Sequence, residues 1–162
     1  MHNLNIFKLH GSYFRDDENR LTADFVVLLN ECRSTFLLEF LHHLGIAVQP
    51  DRLPEIEVTF QSSTDDGQRP DAEIRLGHEF HVCIEAKRKK YKLSEGQLRH
   101  YLHHLEAVGA QERRLVCITE QNERTSFDRF VQNLDAASTC RYLLWEAVAN
   151  LETPHQDEKE FW

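Results

Sequence analysis

The chain has 162 residues, of which 41% are hydrophobic, and this is enough for one domain with its own core. No apolar run approaches the ~18 residues of a membrane span, and the N-terminus lacks a secretory signal, so we expect a cytoplasmic protein with no membrane partner. The formal net charge of −8 indicates that the surface as a whole is not basic, so any contact with nucleic acid must depend on a local basic patch.

Residues 1–15 form a short lead, and a long helix is predicted after it. Asp16 and Asp17 suit the first turn of a helix, where acidic side chains are favoured. Apolar residues then recur with a helical period, and Gly45 is a natural stop after about Leu44.

Glu18 falls on or beside the apolar stripe of this helix, since it lies three residues before Leu21 and seven before Phe25. It is either an exposed acid of the first turn or a carboxylate directed at a site in the interior, where it would need a partner. Asp17 and Asp24 are weaker candidates for the second role.

A loop at residues 46–54 leads to a strand at 56–60 and then to a polar connection at 62–68, where a substrate could cross. Residues 72–76 and 80–87 alternate between apolar and polar, which predicts two half-buried strands. The break at residues 77–78 contains glycine, so the two strands should form a hairpin and the three strands a meander.

The hairpin carries a compact charged cluster. Glu85 and Lys87 are two residues apart on one strand and therefore point to the same face, while Asp71 opens the neighbouring strand. Mg²⁺ or Mn²⁺ would suit the two carboxylates, with the backbone carbonyl of Ala86 as a further ligand. Lys87 would then face the attacking water or the scissile phosphate.

Five of the six residues in the run KRKKYK at 87–92 are basic. The run is either a solvated strand end or a patch that contacts phosphates, and its position beside the predicted metal site favours the patch. The candidates for contact with nucleic acid are Arg88, Lys89, Lys90 and Lys92.

A second helix is predicted from Ser94, the N-cap, to about Val108, with Gln97 in the capping-box position and Gly109 as the stop. Gln97 and Tyr101 are four residues apart and share a face of this helix. The apolar stripe of the helix is Leu98, Tyr101, Leu102 and Leu105.

The rest of the chain predicts a strand at residues 114–119, a helix from Thr125 or Ser126, and a strand at 141–145. This order implies right-handed crossovers and parallel pairing, so the expected fold is α/β with a mixed sheet flanked by helices. We expect a single domain over 1–162 with its core at about 16–146. The tail of 147–162 should begin as a helix that breaks at Pro154 and resumes at Asp157, and it is either a docking tail or a segment cut from a longer chain.

The four cysteines form no CxxC pair and are expected to be reduced and mostly buried. His100 and His104 have the i, i+4 spacing of zinc ligands, but the glutamate of an HExxH motif is missing. A solvated or partly packed histidine face is therefore favoured, and the sequence offers no second ligand pair for zinc.

Pro70-Asp71 followed after thirteen residues by Glu85-Ala86-Lys87 resembles the signature of the PD-(D/E)XK nuclease superfamily. Gln97 and Tyr101 resemble the QxxxY pattern of its RecB-like branch, and Glu18 resembles the acid that the first helix contributes there. The resemblance implies a restriction-endonuclease-like fold and a nuclease that hydrolyses phosphodiester bonds, with DNA favoured, using Mg²⁺ or Mn²⁺. It also implies that Gln97 orients the lysine, water or phosphate.

Two alternatives stay open beside the nuclease. One is a nuclease-like scaffold that binds nucleic acid or a protein without cleaving. The other, compatible with the first hypothesis, is an assembly domain that docks through its C-terminal aromatic residues. A homodimer, or a partner or fused domain that delivers substrate, is compatible with each. The superfamily occurs in restriction, repair, recombination and phage defence, and the sequence does not choose among these.

Overall fold

The structure, a computed structural model, describes residues 18–60, 69–88, 92–135 and 137–151, with side chains from residue 20 onward. Within these ranges five strands form one mixed sheet in the order β1-β2-β3-β4-β5. The first three strands pair antiparallel as a meander, and β3, β4 and β5 pair parallel, which confirms the predicted mixed sheet. The strands are β1 (Glu57–Phe60), β2 (Ala72–Leu76), β3 (Phe80–Lys87), β4 (Glu112–Thr119) and β5 (Cys140–Leu144).

Helices cover both faces of the sheet. One face packs against α1, α2 and α5 through a mainly apolar core. The other face packs against α3 and α4, and its core contains three of the cysteines and Tyr101. The helices of the described residues are α1 (Glu18–Glu31), α2 (Leu38–His43), α3 (Glu95–Val108), α4 (Arg124–Gln132) and α5 (Trp145–Asn150), with short turns of 3-10 helix at Pro50–Glu55 and Ala137–Thr139.

The first helix is not continuous, as the sequence predicted it to be. It breaks at Cys32, and a wide helical turn over Arg33–Leu37 precedes α2. The side chain of Arg33 explains the break, because its guanidinium donates hydrogen bonds to the carbonyls of Leu53 and Ile56 at 2.9 and 2.7 Å. These contacts fix the turn against a distant segment, which a helical period cannot indicate. Gly45 ends α2 at a φ of 76°, as predicted.

Strand β3 is buried on both faces, so the prediction of a half-buried strand is wrong here. It lies at the centre of the sheet, with α3 over the face that carries its polar residues. Alternation along this strand therefore separates an apolar face from a buried polar face. The neighbouring strand β2 does alternate between buried and more exposed residues, as predicted.

The helix α3 ends at Gly109, whose φ of 70° is the left-handed conformation that glycine adopts readily, as predicted. The predicted capping box at its start is not formed: among the described residues, the Ser94 side chain makes no capping hydrogen bond. Instead, the carboxylate of Glu123 accepts a hydrogen bond from the Leu93 backbone at 3.1 Å and holds the chain as it enters the helix.

Several predicted features lie outside the described residues. They are the lead at 1–15, the helix start at Asp16 and Asp17, the polar connection at 62–68, and the tail from Pro154 onward. All four cysteines fall within the described ranges and are free thiols, as expected, and three of them are buried. No helix of the described residues is both long and apolar enough to cross a membrane.

An aromatic cluster stabilises the apolar face. Phe25 meets the rings of Phe36, Phe40 and Trp145 edge-on at centroid distances of 5.9, 5.3 and 5.6 Å.

We expect Phe25→Ala to lower the free energy of unfolding by roughly 3–5 kcal/mol, because removal of the fully buried ring leaves a cavity. Denaturation in urea measures this loss. Val27→Ala, at a 56% exposed position of the same helix, is the control and should change it by less than about 0.5 kcal/mol. Equal losses in the two variants would contradict the packing described here.

Candidate functional site

The hairpin register brings Asp71 to the end of β3. Asp71 directly precedes β2, whose first residue, Ala72, pairs with Ile84. Its carboxylate oxygen Oδ2 accepts a hydrogen bond from the backbone N–H of Ala86 at 2.7 Å. The carboxylate therefore lies beside the Glu85–Ala86 peptide, the position that the sequence predicted for it. Ala86, predicted as a carbonyl ligand, contributes its N–H to this contact.

Glu85 and Lys87 form a largely buried ion pair on the face of β3 under α3. The Lys87 ammonium lies 2.5 Å from Glu85 Oε1, and the two side chains are only 14% and 2% exposed. Such a pair is costly to desolvate and is poorly screened by water. The ion pair between Glu85 and Lys87 therefore contributes little to the stability of the fold, which suggests a functional role.

The charges in the site do not balance. The pKa of Glu85 is raised to about 7, chiefly by burial and also by the negative charge of Asp71, while the contacts with Lys87 and Tyr101 work in the opposite direction. Burial also raises the pKa of Asp71, against the hydrogen bond from Ala86 and the charge of Lys87. The buried carboxyl group of Glu85 and the half-buried one of Asp71 thus lie beside the ammonium of Lys87, and near neutral pH the acid pair has a strong tendency to take up a proton or a cation.

Tyr101 links α3 to the start of the hairpin. Its side chain is 1% exposed, and its hydroxyl donates a hydrogen bond to the Arg69 carbonyl at 2.7 Å. Burial and the charge of Glu85 raise the pKa of Tyr101, so the hydroxyl stays protonated and remains a donor. Tyr101 therefore fixes the backbone two residues before Asp71. Gln97, one turn earlier on α3, is half-buried.

The predicted phosphate patch is only partly described. The side chain of Arg88 is 14% exposed, and its guanidinium pairs with Glu120, with Nε 3.1 Å from Oε2. A phosphate contact by Arg88 would require this ion pair to open, which weakens its predicted role. Lys92 is exposed, and Lys89 and Lys90 lie outside the described residues.

The predicted third carboxylate is not located. Glu18 is the first residue of α1, and its side chain lies outside the described part of the chain. Asp24, the weaker candidate on the same helix, is half-buried.

The sequence analysis did not predict a second group of polar side chains, which lies in the same layer between the sheet and α3. Glu73, His81, Cys83 and His104 place one potential ligand atom each within 4.8 Å of one another. The sequence offered no second ligand pair beside His100 and His104, whereas the fold brings His81 and Cys83 to His104; His100 is not part of this group. His81 and Cys83 are two residues apart on β3 and therefore share a face, and the short turn pairs Glu73 with Cys83. Both facts could have been derived from the sequence of the hairpin.

Charge partners explain the ionisation of this second group. Burial alone would raise the pKa of Glu73, but the contacts with His81 and His104 lower it overall. Burial raises the pKa of the Cys83 thiol well above its ordinary value, and the charge of Glu73 adds to this effect.

In comparisons with known proteins, no family model and no curated protein matches this chain. The resemblance to the PD-(D/E)XK nucleases therefore depends on the residues themselves and on where the fold places them.

The unbalanced charge at Glu85 predicts a pH dependence of stability. The unfolded chain releases the Glu85 proton near pH 4.5, whereas the folded chain keeps it to about pH 7. In this window the folded state binds more protons, so stability falls as pH rises. We expect the free energy of unfolding of the wild type to fall by about 3 kcal/mol relative to Glu85→Gln between pH 4.5 and 7.5.

Urea denaturation at a series of pH values measures the difference between the two proteins. Taking this difference cancels most of the titration of the histidines and of Glu73, which both proteins share. A difference that stays constant from pH 4.5 to 7.5 would contradict the raised pKa of Glu85.

Proposed function

We propose that this chain is a metal-dependent nuclease that hydrolyses phosphodiester bonds of nucleic acid, with DNA favoured. The observation that supports the proposal best is the grouping of Asp71, Glu85 and Lys87 in one buried corner at the end of β3. These are the residue types, in the order and on the elements, that the PD-(D/E)XK resemblance requires.

The fold supports the same proposal. A restriction-endonuclease-like core needs a strand–turn–strand unit that carries the acids, followed by a helix and parallel strands. Here β2 and β3 form the hairpin, α3 follows, and β4 and β5 extend the sheet in parallel. Tyr101 of the QxxxY pattern lies on α3 with its hydroxyl bonded to the segment that leads into Asp71.

The acid pair is suited to a hard divalent cation. Mg²⁺ and Mn²⁺ prefer carboxylate oxygens, and the carboxyl groups of Asp71 and Glu85 destabilise each other's charged form in the absence of further positive charge. Asp71 and Glu85 would hold the ion, with the Ala86 carbonyl and Glu18 as further proposed ligands. The chemistry that such an ion supplies is a lowered pKa for water and compensation of negative charge on the phosphate.

The roles of the protein side chains follow from their contacts. Lys87 is 14% exposed, so its ammonium can reach a phosphate oxygen or a water at the edge of the buried corner. There it would stabilise the negative charge that develops in the transition state. Tyr101 holds the Arg69 carbonyl and with it the approach to Asp71, and Gln97 would orient the lysine, the water or the phosphate.

A second candidate is a nuclease-like scaffold that binds nucleic acid or a protein without cleaving. The net charge of −8 and the ion pair between Arg88 and Glu120 favour it, since both reduce the attraction for phosphates. The intact set of Asp71, Glu85 and Lys87 favours the nuclease. A homodimer or a partner that delivers substrate would suit either function, and roles in restriction, repair or phage defence are part of the proposal.

The proposal predicts the effect of two substitutions on cleavage. Asp71→Asn and Lys87→Gln should each reduce cleavage by at least about 100-fold, because each removes a charge that stabilises the transition state. The amide oxygen of Asn can still accept the hydrogen bond from Ala86, so the fold should persist. The assay follows supercoiled plasmid, single-stranded DNA and RNA with Mg²⁺ or Mn²⁺, and with a chelator as the blank.

Glu95→Gln is the matched control, because it removes an exposed acid from the first turn of α3 and should cleave like the wild type. Cleavage that persists in Asp71→Asn, or that survives chelation, would overturn the site assignment. Binding of nucleic acid without cleavage in either metal would favour the scaffold.

A further inference from the structure

We propose that Glu73, His81, Cys83 and His104 form a second metal site that takes Zn²⁺ or a similar borderline-soft ion. The site lies between the sheet and α3, in the same layer as the acid pair but with different ligand chemistry. The proposal does not depend on nuclease activity.

The fold brings these four residues together from three elements. Glu73 pairs with Cys83 across the hairpin, and His81 lies two residues before Cys83 on the same face of β3. His104 reaches down from α3, one helical turn after Tyr101. Its ring meets the ring of His81 edge-on, with a centroid distance of 5.5 Å.

The distances suit a small tetrahedral ion after a minor adjustment. Ligand atoms around tetrahedral Zn²⁺ lie roughly 3.3–3.8 Å apart, given bond lengths of about 2.0–2.3 Å. The four potential ligand atoms lie within 4.8 Å of one another, and Glu73 Oε2 is 3.5 Å from His104 Nε2. Glu73 Oε2 is 2.5 Å from His81 Nε2, a hydrogen bond that would open slightly to admit the ion.

The ligand types select the class of metal. A thiol and two imidazoles are soft or borderline donors, which favour Zn²⁺, Co²⁺ or Ni²⁺ over Mg²⁺ and Ca²⁺. Cys83 and His81 are buried, whereas His104 is 43% exposed and gives an ion access from solvent.

The two nitrogens of the His81 ring have different surroundings. It is 2% exposed, and its contact with Glu73 uses Nε2. Within the described part of the chain, its Nδ1 is buried and has no hydrogen-bond partner. Nε2, the ring nitrogen that faces Glu73, is the atom that would bind the ion, and Nδ1 on the other side of the ring is left for the hydrogen bond that typically orients a ligating histidine.

Four protein ligands complete a tetrahedral shell, so the ion would have a structural role. It would join the hairpin to α3, the helix that carries Tyr101. Zinc would thereby stabilise the layer in which the acid pair lies.

The test uses the full chain, stripped with a chelator and equilibrated with Zn²⁺ or Co²⁺. Metal analysis after dialysis should find one Zn²⁺ per chain, and Co²⁺ should give a thiolate-to-metal absorption band. His104→Gln should weaken Zn²⁺ binding by about tenfold or more, since a partly exposed ligand is removed without disturbing the core. His103→Gln, which changes an exposed histidine of the same helix, should bind like the wild type.

Cys83→Ala should remove the absorption band of the Co²⁺ form, and circular dichroism establishes that this variant folds. Failure of the wild type to retain stoichiometric Zn²⁺, or equal loss in His103→Gln and His104→Gln, would overturn the site. The result is independent of the proposed nuclease, because metal content is the readout and Asp71→Asn should leave Zn²⁺ binding unchanged.

Discussion

The carboxyl group of Glu85 is the feature on which the rest of the molecule depends. It lies on the central strand β3 at 2% exposure, beside the charge of Asp71 and 2.5 Å from the ammonium of Lys87. An isolated carboxylate would be expelled from such a position, so each neighbour has a compensating role. The Ala86 N–H donates a hydrogen bond to Asp71, and Lys87 supplies positive charge. Tyr101 packs in the core between this face of the sheet and α3. These contacts offset part of the negative charge of Asp71 and Glu85. A divalent cation would compensate for the rest.

The two faces of the sheet have different roles. The face under α1, α2 and α5 is apolar and carries the aromatic cluster around Phe25, which provides stability. The face under α3 contains the polar groups, with the Glu85 corner at one end of β3 and the group around His81 and Cys83 further back along the same strand. The stable face allows the other face to hold buried charges that cost free energy. The two proposed metal sites differ in donor type, so different ions would fill them.

Local patterns in the sequence predict much of this arrangement. The hairpin and the proximity of Asp71 to Glu85 follow from alternation and a short turn, because strand pairing across a turn is set by neighbours in the chain. The break before Arg33 could not be predicted, since it depends on hydrogen bonds to carbonyls about twenty residues away. Burial of both faces of β3 depends on how α3, the next element along the chain, packs against the strand, and the alternation within β3 does not indicate that packing. The contribution of His104 to a group with His81 has the same origin, because only the docking of α3 brings them together.

The most direct test of the account is the pH titration of the Glu85 side-chain carboxyl by carbon NMR, with and without Mg²⁺. Without the ion, the buried pair predicts a midpoint near pH 7. With the ion, the carboxylate should be favoured and the midpoint should move to lower pH, and Glu85→Gln identifies the resonance by its absence. A midpoint near the ordinary value of 4.5, or one that Mg²⁺ leaves unchanged, would contradict the claim that this corner is built to hold a cation.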